Sequence, residues 1–363
     1  MTRYLLAGGG TAGHVNPLLA VADRVLQREP GAIILVLGTA EGLEARLVPA
    51  RGFTLLTVAR LPFPRRMNAA AAAFPVRFVR LISQIRELIR ENRIEVVVGF
   101  GGYVSAPAYL AARLQRVPFA IHEANFRPGI ANRLGAVFTP FVGTAFRSAK
   151  ILHGRFVGMP LRREVENLNR SAERLRAQEF FGLSPNRPTL LVTGGSQGAR
   201  HINETVNAAA VTIIGAGWQI LHVTGERSPI VSTDLPHYKL LAYCDRMELA
   251  LAAADLAVAR AGAATISEFC AVGVPAIYVP LAIGNGEQRL NAREVVAAGG
   301  ARMVENSRFT PDWVRDQLVP LLHNRALIAE MSARALSVGV LDGADRFVDL
   351  VAESIAPAVD LTA

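Results

Sequence analysis

Cysteine is nearly absent from this 363-residue chain, which carries only Cys244 and Cys270. Two thiols in apolar surroundings make no disulfide framework and read as buried groups in a reducing compartment. Lysine is equally scarce: Lys150 and Lys239 stand among 39 basic residues, and the other 37 are arginines. No window approaches ~18 uninterrupted apolar residues. The opening MTRYLLAGGGTAGH runs straight into a glycine turn, so neither a spanning helix nor a cleaved leader is expected. The chain reads as one made and kept in the cytoplasm. Aromatic residues reach only 7% and form no basic–aromatic stripe, which argues against a nucleic-acid-binding module. D-x-D, H-E-x-x-H and grouped Cys/His ligands are all missing, so the sequence demands no divalent ion.

Apolar residues are plentiful, at 51%, with a mean hydropathy of +0.28. At roughly 150 residues per domain the length suggests two domains. The net charge is +9, unevenly spread. Residues 1–160 hold 20 basic and 8 acidic side chains, net +12, and the remainder holds 19 and 22, net −3. A basic half invites an anionic partner, either nucleic acid or membrane.

Short apolar runs alternate with helical stretches. Strands are expected at Tyr4–Ala7, Ala32–Leu37, Phe53–Val58, Glu95–Val98, Phe119–Ile121, Leu190–Thr193, Gln219–Val223, Leu256–Ala259 and Ala276–Val279. Helices are expected at Pro17–Gln27, Phe74–Asn92, Ala106–Arg116, Glu248–Ala254 and Ile266–Ala271. This alternation predicts an α/β chain with parallel sheets. A strand followed by GGGTAGH opens the first half, and LLVTGGSQGAR repeats the design at 190–200, suggesting two Rossmann-like domains. The segment Phe156–Asn169 reads as the hinge. A last helix covers Gly343–Ala356, and spacing leaves open which half it packs against.

The loop Gly8–Gly13 lacks the full dinucleotide pattern, G-x-G-x-x-G with an acid near the end of the second strand, because that strand ends in Gly38-Thr39 without a ribose-binding carboxylate. It also lacks the G-K-[ST] ending of an NTPase loop. Nicotinamide chemistry and ATP hydrolysis are therefore disfavoured. Further glycine clusters follow strands at 99–105 and 194–198, which favours a phosphate-rich ligand at the C-terminal strand ends. His14, closing the first loop, is a candidate general base kept neutral by a helix N-terminus. In the second half, Glu268 of RAGAATISE can bind a ribose diol; a capping role for Thr265 or Ser267 is the plainer alternative. Glu287, Gln288 and Asn291 of GNGEQRLNA suit sugar hydroxyls.

Seven motifs in order resemble one family: GGGTAGHVNP, GFGGYVSAP, HEANFRPG, GMPLR, GGSQGAR, ARAGAATISE and LAIGNGEQRLNA. The chain resembles the bacterial peptidoglycan N-acetylglucosaminyltransferases of glycosyltransferase family 28, over nearly its whole length. The resemblance implies a GT-B fold, two Rossmann-like domains facing each other across a cleft. Residues 1–158 would then bind the acceptor and face the membrane, 159–342 would bind the UDP-sugar, and 343–363 would be a helix and tail crossing back to the first domain. It implies an inverting transfer of N-acetylglucosamine from UDP-N-acetylglucosamine to the 4-hydroxyl of undecaprenyl-linked lipid I, giving lipid II. By the same resemblance His14 is the base, and Thr11, Ala12, Gly13 and Asn125 lie near the transferred sugar. Arg162 and Ser196 meet the nucleotide and its diphosphate, Glu268 binds the uridine ribose, Gln288 binds sugar and Cys244 approaches uracil. Ala263, Ala264, Thr265, Ile266 and Ser267 complete the donor site through the loop and helix N-terminus. No cofactor or metal is implied. Partners would be the two substrates, anionic inner-leaflet lipids and other cell-wall or division proteins, with the enzyme peripheral on the cytoplasmic face of the cell membrane and serving peptidoglycan synthesis, cell shape and division. The chain departs from the family pattern at Ala12, Ala124, Met159 and Ala261. A related GT-B transferase with another acceptor and a UDP-sugar epimerase are the alternatives weighed.

The stretch Leu61–Arg80 joins arginines (Arg65, Arg66, Arg77, Arg80) to apolar residues. Leu61–Val76 reads as an exposed apolar loop suited to anionic lipid, and Leu81–Leu88 reads as a core-facing helix with a basic rim.

Overall fold

Runs such as RYLLA, VVVG, TLLVT and LAVA are apolar at every position because both faces of their strands are covered. The computed structural model describes residues 1–64, 69–195, 198–230, 234–281 and 286–356. Two units are distinguished, Met1–Arg162 with Asp342–Ala363, and Arg163–Leu341.

The described residues of the first unit hold seven strands: β1 (Arg3–Ala7), β2 (Ile33–Gly38), β3 (Thr54–Thr57), β4 (Val96–Gly99), β5 (Phe119–Glu123), β6 (Val142–Thr144) and β7 (Gly154–Phe156). They form one parallel sheet in the order β3-β2-β1-β4-β5-β6-β7. In register, Leu5 lies beside Leu35 and Val97. The second unit holds β8 (Thr189–Thr193), β9 (Gln219–Val223), β10 (Tyr238–Leu241), β11 (Leu256–Ala259), β12 (Ala276–Tyr278) and β13 (Ala301–Met303). Its parallel sheet runs β10-β9-β8-β11-β12-β13. Four strands were not expected, namely β6, β7, β10 and β13. Each has only three or four residues, and glycine, lysine or arginine interrupts its apolar character.

Four helices matter for the first site: α1 (Ala12–Arg28), α2 (Glu44–Ala50), α3 (Ala69–Glu91) and α4 (Ser105–Leu114). The first helix starts five residues before Pro17, which lies inside it. Helix α3 likewise begins before Phe74 and contains Pro75, so the second part of the expected Leu61–Val76 loop is helical. Its Leu81, Ile85 and Ile89 are buried against β1, β2 and β4 residues, as the core-facing reading required.

The chain leaves the first unit after Arg162, within the expected hinge segment but four residues past 158. The reason is local: Val157 and Gly158 still donate to the carbonyl of Thr144, and Gly158 accepts from His122. After Leu341 the chain returns, and the helix Gly343–Ile355 packs on the α1 face of the first sheet. Phe347, Leu350 and Val351 of this helix are buried there. Arg24 and Arg28 of α1 pair with Asp345, and Arg28 also reaches Asp349.

Each unit buries one histidine. The Nε2 of His122 donates to Gly158 O at 2.9 Å, and its ring packs against Phe100 and Phe347. The ring of His222 sits between the Tyr238 hydroxyl (2.8 Å) and Asn203 Oδ1 (3.1 Å). Burial pulls both down to about 4 from an ordinary 6.5. The unfolded chain therefore takes up these protons first, so the stability they represent is intact above pH 6.5 and lost as pH falls toward 4. Each should contribute about 2–3 kcal/mol. Thermal melts should show Tm dropping between pH 6.5 and 4, and a flat profile across that window would contradict the assignment.

Candidate functional site

In an open parallel sheet, ligands bind beyond the carboxyl ends of the strands where the order reverses. In the first sheet that point lies between β1 and β4, and their loops Gly8–Thr11 and Phe100–Val104 meet there. Gly102 has φ +87, and a β-carbon on it would lie 2.8 Å from the carbonyl of Gly9. Only glycine lets the two loops approach this closely.

Thr11 is the N-cap of α1 in extended conformation, with its carbonyl accepting from His14 N and Val15 N at 3.1 Å each. Ala12, Gly13 and His14 form the first helical turn. The His14 Nδ1 lies 3.1 Å from Gly9 O and 3.4 Å from the Thr11 hydroxyl. A carbonyl can only accept, so the bond to Gly9 puts the neutral ring's proton on Nδ1. The lone pair is then on Nε2, which rests against Gly101: a β-carbon there would sit 3.2 Å away.

Glu123, at the end of β5, is 2% exposed. Its carboxylate accepts from Asn125 N (2.8 Å), Gly129 N (2.9 Å) and Asn132 Nδ2 (2.9 Å). Asn132 in turn accepts from the Tyr109 hydroxyl at 2.8 Å. Burial raises the Glu123 carboxyl above its ordinary range, although these donors act the other way. This network shapes the loop carrying Asn125 and backs the Gly101 side of His14. Its members Tyr109, Glu123 and Asn132 were not assigned roles from sequence, because no fixed spacing links them to His14.

In the second sheet the order reverses between β8 and β11. Gly198, after β8, has φ +76, and a β-carbon there would collide with the Thr224 carbonyl. Ser196, Gly284 and Asn285 lie outside the described residues, as do Arg65 and Arg66. After β11 the helix Ala263–Val272 begins at its N-cap Gly262, with no side-chain cap bond. Neither Thr265 nor Ser267 is therefore the cap, because both stand inside the helix. The N–H groups of Ala263, Ala264 and Thr265 have no intrahelical acceptor and offer an anion-binding turn. Ile266 is buried, while Ser267 and Glu268 are half-buried on the same helix.

The side-chain Oε1 of Gln288 accepts from Leu281 N at 2.9 Å. Asn291 is buried and donates to Ala261 O at 3.4 Å, so its amide supports the loop before the helix instead of pointing outward to sugar. The guanidinium of Arg260 reaches Val279 O (2.9 Å), Pro280 O (3.2 Å) and Asn306 Oδ1 (2.7 Å), tying the ends of β11 and β12 to the segment after β13. Burial lowers its pKa. That bracing role was not legible in the sequence, where Arg260 simply follows an apolar run. Cys244, buried, lies beyond edge strand β10, and Cys270 is likewise a buried free thiol. Arg162, half-buried, closes the first unit's main segment. Thr11 to His14 and Asn125 thus belong to one unit, and 263–268, Gln288 and Cys244 to the other. Ala124, Met159 and Ala261, three of the four departures from the family pattern, are buried. Among the described residues, no group of three His, Cys, Asp or Glu side chains is arranged to hold a metal.

Two parallel-sheet units, each with a glycine loop at its switch point, define the GT-B architecture of sugar-nucleotide enzymes. Residues 4–143 match the glycosyltransferase family 28 N-terminal domain and residues 189–347 match the family 28 C-terminal domain. The chain belongs to glycosyltransferase family 28. It is 62% identical over 358 residues to the UDP-N-acetylglucosamine–N-acetylmuramyl-(pentapeptide) pyrophosphoryl-undecaprenol N-acetylglucosamine transferase of Leifsonia xyli, covering 99% of this chain and 100% of that one. The protein of the same name from Streptomyces coelicolor is 45% identical, with 98% of each chain covered. A solved structure of Acinetobacter baumannii MurG superposes with a TM-score of 0.78 at 27% identity, covering 97% of this chain and all of the other. A Neisseria meningitidis UDP-GlcNAc 2-epimerase shares the fold alone, at TM-score 0.70 and 13% identity over 97% of this chain and all of that one.

Proposed function

We propose that this protein transfers N-acetylglucosamine from UDP-N-acetylglucosamine to the 4-hydroxyl of the muramyl-pentapeptide of lipid I, forming lipid II. The observation that carries this reading is the end-to-end 62% identity to the Leifsonia xyli transferase. The chemistry is a single in-line displacement. Nε2 of His14 takes the proton of the acceptor hydroxyl as its oxygen bonds to the anomeric carbon. The bond from that carbon to the diphosphate oxygen breaks on the opposite face, so the configuration inverts. Charge builds on the departing UDP. The open N–H groups of Ala263, Ala264 and Thr265, with Arg162, are suited to receive it, which makes a metal unnecessary for that task. Glu268 holds the ribose, and Gln288 and Asn125 contact sugar.

The test is radiolabelled UDP-N-acetylglucosamine with purified lipid I, with and without chelator. Labelled lipid II should form equally in both arms. Absence of product would refute the reaction, and loss with chelator alone would refute metal independence.

The enzyme meets its lipid-linked acceptor from the membrane surface. No described helix is long and apolar enough to cross a membrane. At the start of α3, the rings of Phe63, Phe74 and Phe78 cluster with centroids 5.2 and 5.5 Å apart. Val76 and Val79 are exposed beside them, with Arg77 and Arg80 interleaved. Such a face suits anionic inner-leaflet lipids, each arginine contributing about 1 kcal/mol. Replacing Arg77 and Arg80 with Ser should weaken sedimentation with anionic vesicles about 10–30-fold with an unchanged circular dichroism spectrum. Equal binding would refute this face.

A further inference from the structure

One buried carboxylate lies directly behind the first glycine loop. Glu44 opens α2 and is 1% exposed. Its Oε2 accepts from Gly10 N at 2.8 Å, and its Oε1 accepts from both the N–H and the hydroxyl of Thr39 at 2.9 Å. A β-carbon on Gly9 or Gly42 would enter the carboxylate, and one on Gly38 would strike its stem. The chain has thus cleared three side chains to admit this one group. Burial opposes its ionisation, but the N–H donors of Gly10 and Thr39 outweigh burial and hold the carboxyl below its ordinary range.

The N–H that Glu44 binds and the carbonyl that His14 binds belong to the same peptide unit, Gly9–Gly10. A trans peptide is planar, with its N–H and C=O pointing in opposite directions. Fixing the N–H toward Glu44 therefore fixes the carbonyl toward His14 Nδ1. The anion also polarises the peptide, making the carbonyl a better acceptor.

We propose that Glu44 is a positioning residue for the transfer, acting through the Gly9–Gly10 peptide to hold His14 in its Nδ1–H form with Nε2 free for the acceptor's proton. This rests on the role given to His14 above. Glu44 itself touches neither substrate nor base. Glutamine is the informative replacement, since its NH2 would have to face either Gly10 N–H or the Thr39 donors.

In Glu44→Gln, kcat should fall about 10–100-fold while KM for UDP-N-acetylglucosamine stays within about twofold. The acid limb of the pH–rate profile should move to lower pH, because the imidazolium loses a polarised acceptor. The decisive readout needs no substrate: long-range 15N–1H NMR of histidine-labelled protein, with His14→Gln assigning the signal. Wild-type His14 should be Nδ1–H, and Glu44→Gln should show a population of Nε2–H. A folded Glu44→Gln with wild-type tautomer and acid limb overturns the proposal, even if Tm falls. If Glu44→Gln does not fold, Glu44→Asp keeps the charge and withdraws it from Gly10. The same two readouts, unchanged, overturn the proposal there too. Should the wild type transfer no sugar, the functional reading fails, while the tautomer still decides the coupling between Glu44 and His14.

Discussion

Replacing His14 with alanine is expected to lower kcat for sugar transfer about 10²–10⁴-fold, the usual contribution of a positioned general base. Donor binding should survive, because the residues proposed to hold the donor's nucleotide, Ala263–Glu268, belong to the other unit. KM for UDP-N-acetylglucosamine should therefore stay within about twofold. The alanine should also fold: His14 is only half-buried, and its ring bonds to the Gly9 carbonyl, which water can satisfy. Steady-state assays with varied donor and saturating acceptor separate the two constants. Turnover within a few-fold of wild type would remove His14 from the chemistry.

The converse pattern is expected for Glu268→Ala. A carboxylate binding both ribose hydroxyls makes charge-assisted hydrogen bonds, and losing them costs about 1.5–3 kcal/mol. KM for the donor should rise about 10–100-fold, with kcat at saturation reduced far less. Glu268 is half-buried on a helix whose packing rests on Ile266, Phe269 and Cys270, so the substitution should leave the fold intact. A donor analogue lacking the 2′-hydroxyl should bind the wild type poorly and lose little more with the variant. If KM is unchanged while kcat collapses, Glu268 acts on the reacting sugar and not on the ribose.

The parts of the fold legible in the sequence were those with an intrinsic signal. Strands β1, β4, β8 and β11 were readable because burial on both faces leaves an unbroken apolar run. Strands such as β7, with sequence GRF, exist only because a neighbour pairs with them, and three residues carry no period. The start of α1 was misplaced because Pro17 resembles a first-turn proline, whereas the helix begins at Ala12 and carries the proline in its second turn. In the candidate site, the place of His14 at the head of α1 was legible because a histidine after a glycine turn is placed by local geometry. Asn132 and Glu44 were not. They reach the site through contacts to Glu123 and Gly10, nine and 34 residues away, and no spacing encodes those. Asn291, expected to bind sugar, is an amide spent on the Ala261 carbonyl, and an amide's facing depends on packing that sequence does not display.

The return of the chain to its first unit has a consequence for synthesis on the ribosome. Phe347 lies edge-on to Phe100, with centroids 5.8 Å apart, and Phe100 stands in the loop that meets Gly9. The packing behind the His14 loops is therefore translated after the whole of Arg163–Leu341. Until helix Gly343–Ile355 emerges, the α1 face lacks the cover of Phe347, Leu350 and Val351. Arg24 and Arg28 wait equally long for Asp345. The intervening segment Arg163–Leu341 is continuous and has no such wait. The unit begun first is thus completed after the second, and the loops around His14 reach their final packing only once Arg163–Leu341 and the helix after it have been made.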